Sequence, residues 1–221
     1  DIPNTQRSQA NCLLNLAATL YNLGRGVETE PLYRQAIHLC EGTSGTEQIH
    51  ASCLQRLASV VASKGEGHLR EALELYDHAR DLYEKVADSD ADQAHCLTQQ
   101  ADITTHLGHL PDAEALYHQA LTLYEHTNTP IKHATCLQHL ATCLSHTPNR
   151  TTDTLKTLDH ALDVLTHTNT SETAPQRLDI LLSLTHTHLI NGDHFLAQIH
   201  AHAALDLSHH PTISQADAHR A

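Results

Sequence analysis

The chain has 221 residues, 40% hydrophobic but only 3% aromatic, with a formal charge of −13. With no Trp or Met and a single Phe, its core must be built from Leu, Ala, Val, Ile and Cys, which favours close helix packing over a β-sandwich. Thirteen scattered Lys and Arg exclude a nucleic-acid binder, no stretch of about 18 apolar residues is present to cross a membrane, and no signal-peptide pattern opens the chain.

The first element is marked by CLLNLA, Cys12–Ala17, and the same phrase returns along the chain. It recurs as CLQRLA (Cys53–Ala58), CLTQQA (Cys96–Ala101), CLQHLA (Cys136–Ala141) and, faded, ILLSLT (Ile180–Thr185). Leu13, Leu54, Leu97, Leu137 and Leu181 are 41, 43, 40 and 44 residues apart. A fixed period between 20 and 50 residues is the signature of stacked repeats.

In the first repeat, about 8–43, a helix through Leu13 and Ala17 ends at Gly24, and a second carries Tyr33 and Ala36. The second repeat, about 48–86, has two extra residues around Gly65-Glu66-Gly67 before Tyr76 and Ala79 come into register. The third, about 91–127, is the cleanest. Leu97, Ala101, Thr104 and Leu107 keep helical spacing, Gly108 closes the helix, and Pro111, Asp112 and Glu114 open the next. Ala113, Leu116, Tyr117, Ala120, Leu121 and Tyr124 then form one apolar stripe. The fourth repeat, about 131–168, replaces the glycine turn by HTPNRTTD (His146–Asp153) and the tyrosine by Leu158, keeping Ala161. In the fifth, about 175–209, Thr185 stands where alanine is usual, Gly192 makes the turn, and Ala201 and Ala204 follow. Residues 210–221 read as the start of a further, truncated repeat. No polar capping element is evident at either end and no methionine begins the chain, so the sequence reads as a piece of a longer or processed protein.

Leucine, small alanine, turn glycine, and the Tyr and Ala of the second helix together resemble the tetratricopeptide repeat (TPR). NLAATLYNLGR (Asn15–Arg25) and EPLYRQAI (Glu30–Ile37) look most like the long repeats of kinesin light chains. Similar repeats also follow the nucleotide-binding module of many signal-transducing ATPases. The resemblance implies an all-α fold, a right-handed α-solenoid of about five TPR-type hairpins with a period of about 40–44 residues, one solenoid spanning 1–221. Cys12, Cys53, Cys96 and Cys136 fill one slot of that repeat, too far apart on neighbouring helices to pair, so they read as small buried hydrophobes in the seams. Reduced thiols fit a cytoplasmic protein.

Twenty-two histidines are the oddest feature. No H-E-x-x-H motif occurs, and the rings of HTH (His186–His188) and HAH (His200–His202) point apart on a helix. His139 and Cys143 could share a metal, but no third ligand is visible, so no metal is expected. Protonating every histidine would carry the formal charge from −13 to +9, which predicts pH-sensitive association around pH 6–7. Asn149-Arg150-Thr151 and Asn169-Thr170-Ser171 match the glycosylation triplet, which counts only in a secreted protein. No nucleophile–base set, no phosphate loop and no cofactor motif is present, so the chain does not read as an enzyme and no cofactor is expected.

In the family that it resembles, ligands lie on the concave face lined by the first helix of each hairpin. Carried over, that face comprises Asn11, Leu14, Ala18 and Tyr21, then Gln55, Ser59 and Ala62. It continues with His95, Thr98, Asp102 and Thr105, then Gln138, Thr142 and Ser145, and closes with Leu182, His186 and Leu189. No Lys or Arg lies on it, so the basic residues with which chaperone-tail-binding members and kinesin light chains hold acidic peptides are missing. The partner expected is a protein or peptide, neutral or basic, held by a non-catalytic scaffold. The alternatives are a structural subunit self-assembling end to end into a filament and the sensor array of a signalling ATPase.

Overall fold

The computed structural model describes residues 2–166 and 171–208, with side chains from residue 5 and that of residue 171 left aside. Among them are ten α-helices and no strand. The Asn169 triplet and residues 210–221 lie outside the described residues. The helices fall in two compact units, residues 1–103 and 104–221.

The first unit contains α1 (Ile2–Asn22), α2 (Thr29–Cys40), α3 (Glu47–Ala62), α4 (Leu69–Tyr83) and the greater part of α5 (Asp90–His106). α1 packs on α2, α2 on α3, and α3 on α4. Backbones approach closely where side chains are small: Ala17, Ala36, Ala58, Ala72 and Ala79 have no exposed surface. Around them Tyr33, Leu57, Val61, Tyr76 and Tyr83 build the core. A fully buried side chain of that size contributes about 1.5–3 kcal/mol of hydrophobic stabilisation.

The second unit opens on the end of α5 and continues with α6 (Leu110–Tyr124), α7 (Pro130–Ser145), α8 (Thr151–Thr166), α9 (Ala174–Asn191) and α10 (His194–Ser208). α6 packs on α7, α7 on α8, α8 on α9, and α9 on α10. Proline within the first turn starts α6, α7 and α9, where its missing N–H leaves no bond unmade. Gly108, at φ +81°, closes α5: its N–H bonds the Thr105 carbonyl and the His109 N–H reaches back to Thr104. In the fourth hairpin the left-handed position falls to Asn149, at φ +63°, so the longer polar turn uses a residue that tolerates that conformation at some cost.

Two features differ from the sequence reading or were absent from it. Cys53, Cys96 and Cys136 are fully buried, whereas Cys12 is exposed. Each buried thiol lies against the second helix of the hairpin before it, Cys53 among Ala36 and Cys40 of α2 and Cys136 facing the Tyr117 carbonyl of α6. α1 has no such helix before it among the described residues, so the slot at Cys12 is open. The second feature is a hydroxyl clasp between hairpins. Thr46 donates to the Cys40 carbonyl and Ser89 to that of Tyr83, both buried, and Thr127 donates to that of Tyr124. Each satisfies a carbonyl at the end of a second helix.

Candidate partner-binding face

In the first unit the expected lining of α1 is graded: Asn11 and Tyr21 are exposed, Ala18 is half-buried, and Leu14 packs into the core. Gln55 and Ser59 of α3 are half-buried and held by tyrosines of α4. Tyr76 Oη lies 2.7 Å from Ser59 Oγ, and Tyr83 Oη donates to Gln55 Oε1 at 2.9 Å. On α5, His95 and Asp102 are half-buried, and Asp102 accepts from Gln99 at 3.1 Å. Thr98 is 3% exposed, with its hydroxyl given to the Ala94 carbonyl, so it offers no surface to a partner.

In the second unit Thr105 lies 3.4 Å from Tyr117 Oη, the counterpart of the Ser59–Tyr76 pair. Gln138 accepts from Gln176 at 2.9 Å, a contact that ties α9 to α7. Leu182 and Leu189 are 52% and 50% exposed. Thr142 and Ser145 of α7 and His186 of α9 come together on a cleft of 320 Å³. Sequence reasoning missed the other walls of this cleft, Thr154 and Leu158 of α8 and Ser183 and Thr187 of α9. It assigned the face to single positions of first helices, while a second helix lines it where tyrosine has become Leu158. No Lys, Arg, Asp or Glu lines the cleft.

The histidines divide by environment. His133 stacks on Tyr124 at 6.1 Å and meets the edge of His160 at 5.9 Å; burial, then His160, hold its pKa below the ordinary value. His188 and His200, one from each of the paired-histidine segments, stack at 5.3 Å. His188 is buried, with Nδ1 3.6 Å from Asp193, and burial followed by His188 lowers the pKa of His200. Cys143 turns its thiol to the Leu110 carbonyl at 3.7 Å. Among the described residues no group of three or more His, Cys, Asp or Glu is placed to hold a metal ion. Burial pushes the Cys53 thiol up to about 12, which leaves it protonated and unreactive. No helix among the described residues is long and apolar enough to cross a membrane.

The family model for the soluble NSF attachment protein, SNAP, matches residues 4–146. Among curated proteins no sequence matches significantly. Several solved structures are similar in fold. BtubC (BKLC) from P. vanneervenii superposes with a TM-score of 0.77 at 18% identity, over 93% of this chain and 82% of that one. The TPR-like repeats of a Podospora anserina kinesin light chain give 0.70 at 19% identity, over 94% and 96%. A Rap protein complexed with Competence and Sporulation Factor gives 0.71 at 15% identity, over 90% of this chain and 54% of that one. The fold is thus the all-α, TPR-like helical solenoid that the repeat pattern implied.

Proposed function

This chain belongs to the soluble NSF attachment protein (SNAP) family, and from that membership we propose that it is a non-catalytic interaction scaffold holding a protein or peptide on exposed first-helix surface, that of α7 and α9 in the second unit above all. The observation that carries the reading is the convergence of Thr142, Ser145 and His186 on one cleft of the second unit. Residues assigned to the binding face from three positions in the sequence there share a concave surface, the usual form of a ligand site. The Rap protein, solved with Competence and Sporulation Factor, supports the use of this fold to hold a partner. The chemistry of the lining supports binding over catalysis, since hydroxyls and one imidazole without a nucleophile–base pair hold a ligand but do not activate one. Six free thiols, five of them buried, support a reducing compartment, the cytoplasm.

Site-specific photo-crosslinking tests the reading. A benzophenone side chain at Ser145 or His186 should capture a discrete partner in the source cell, and one at Gln119, exposed on α6, should not. Equal capture from both positions would refute it.

A second reading, self-association, is favoured by one observation. Leu16 on α1 is 50% exposed, and Phe195 and Ile199 on α10 are 75% and 46% exposed. Sedimentation at rising concentration separates the two, because self-association adds species that Phe195→Ser removes.

A further inference from the structure

We propose that the cleft between α7, α8 and α9 is a subsite for one cationic side chain, a lysine ammonium or an arginine guanidinium, of a bound peptide; this rests on the scaffold reading above. Most of the hydroxyl protons of the lining are committed within their own helices. Thr142 Oγ1 donates to the Gln138 carbonyl at 3.0 Å and Ser145 Oγ to that of Thr142 at 2.7 Å. Thr154 Oγ1 donates to Arg150 at 3.0 Å, Ser183 Oγ to Asp179 at 2.9 Å and Thr187 Oγ1 to Ser183 at 2.8 Å. Five hydroxyls of the lining have therefore spent their single proton on their own helix, and what they turn to the cleft is lone pairs. A ligand carboxylate or phosphate would find those five turned to it as acceptors, with donors left only at Thr147, Thr151 and the His186 ring. An ammonium or guanidinium carries only donors and finds its complement.

The helix ends agree with this. The cleft lies against the last turn of α7, which ends at Ser145, and the last two turns of α9, which ends at Asn191. Helix C-termini present partial negative charge and favour cations. The N-terminus of α8 also borders the cleft through Thr151, but its first turn already holds Asp153, paired to Arg150, and Arg150 in turn is held by Glu114. His186 adds one imidazole to the rim. Ala141, Leu158 and Ile190 supply apolar wall for an aliphatic stem, as long cationic side chains require.

The cleft coincides with a departure of the repeat from its own pattern. In the second hairpin the tyrosine of this register, Tyr76, is buried and its hydroxyl meets Ser59. In the fourth, Leu158 stands in the tyrosine register, and Thr142, five residues after its marker leucine as Ser59 is, has no phenol to meet.

The probes are blocked pentapeptides, Ala-Leu-Xaa-Leu-Ala, with Xaa lysine, arginine, norleucine or glutamate, titrated into the full chain and followed by backbone amide NMR. Lysine and arginine should shift amides around Ala141, Ser183 and Thr187 with affinity at least tenfold above norleucine, and glutamate should not shift them. Leu158→Tyr, which restores the pattern of the other hairpins, should abolish the difference between lysine and norleucine while circular dichroism stays unchanged. Thr187→Val with Ser183→Ala, which removes two acceptors and leaves the shape, should reduce it by about tenfold. Equal shifts from lysine and norleucine, or stronger ones from glutamate, would overturn the subsite and leave the scaffold reading standing. Crosslinked partners at Ser145 whose capture is unaffected by Leu158→Tyr would also overturn it. The scaffold reading fails instead if the crosslinking at Ser145 and His186 captures no partner.

Discussion

The hydroxyl of Tyr76 links the packing of the first unit to the α3 surface proposed to meet a partner, and its contribution can be isolated. The ring is 1% exposed, and its oxygen lies 2.7 Å from Ser59 Oγ, itself on the α3 face. Tyr76→Phe keeps the ring and removes one hydrogen bond, which ordinarily contributes about 0.5–1.5 kcal/mol. Ser59 is half-buried and has the Gln55 carbonyl at 3.4 Å as a second acceptor, so part of the loss is recovered and about 1 kcal/mol remains. For a chain of this length that lowers Tm by about 2–4 °C. Ser59→Ala removes the same bond but strands the phenol in a buried site, at about 1–3 kcal/mol. Urea unfolding of the parent, both single variants and the double variant measures the coupling directly, and the double variant should be about 1 kcal/mol more stable than the sum of the singles implies. A coupling within about 0.3 kcal/mol of zero would refute the idea that the second-helix tyrosines hold the polar face in place.

The remaining predictions use the same unfolding assays. Gly108→Ala should cost about 1–2 kcal/mol, because φ is +81° and a Cβ there would touch nothing, so the whole effect is backbone strain; Asn149→Gly should stabilise slightly. Cys53→Ser should cost about 1–3 kcal/mol by burying a hydroxyl in an apolar cluster, while Cys12→Ser, on an exposed site, should be neutral within about 0.5 kcal/mol. His133 and His200 have folded pKa values below the ordinary 6.5, so the unfolded chain binds the protons first on acidification. Their contribution is complete above about pH 6.5 and is lost as pH falls through the lower folded values. Glu125 opposes the effect at His133 and Asp159 at His200, both more weakly than burial. Tm should therefore fall between pH 7.5 and 5, and His133→Asn with His200→Asn should flatten that slope; an unchanged slope contradicts the assignment.

The hairpins were legible in the sequence because their determinants are local and repeated. A glycine 11 residues after the marker leucine needs only the φ that it adopts, and an alanine at a helix crossing needs only to be small. Tyr33, Tyr76 and Tyr117 were legible as core positions, but their hydroxyl partners were not. Which first-helix residue meets a phenol depends on the crossing of two helices, and Ser59 and Thr105 sit at different distances from their marker leucines. Cys12 was misread because a repeat pattern records the slot and not what stands opposite it. Thr98 falls in the core because a single residue step, about 100° of rotation, separates an inner-face position from a core position on α5. The cleft left one trace in the sequence, the leucine at 158 where tyrosine was due, and that trace looked like a fading repeat.

That exchange bears on where binding specificity resides. The family model matches residues 4–146, and of the cleft lining only Ala141, Thr142 and Ser145 fall inside that match. Residues that define the repeat are committed to packing: a tyrosine that fills a seam and an alanine that admits a neighbouring helix cannot also be varied to suit a ligand. On the proposed reading, freedom to recognise a partner lies where the pattern is given up, as at Leu158. The same departures leave room for hydroxyl side chains, and on a helix a hydroxyl in reach of the preceding turn gives its proton to the backbone. A cleft furnished in this way carries no formal charge and five of its hydroxyls are turned in one sense, so the preference proposed for it would follow from helix geometry rather than from acidic residues. Placing Lys at Ser145 would fill those acceptors from within and should compete with any cationic ligand. If Ser145→Lys instead strengthened the lysine peptide, the lone-pair account of the cleft would be wrong.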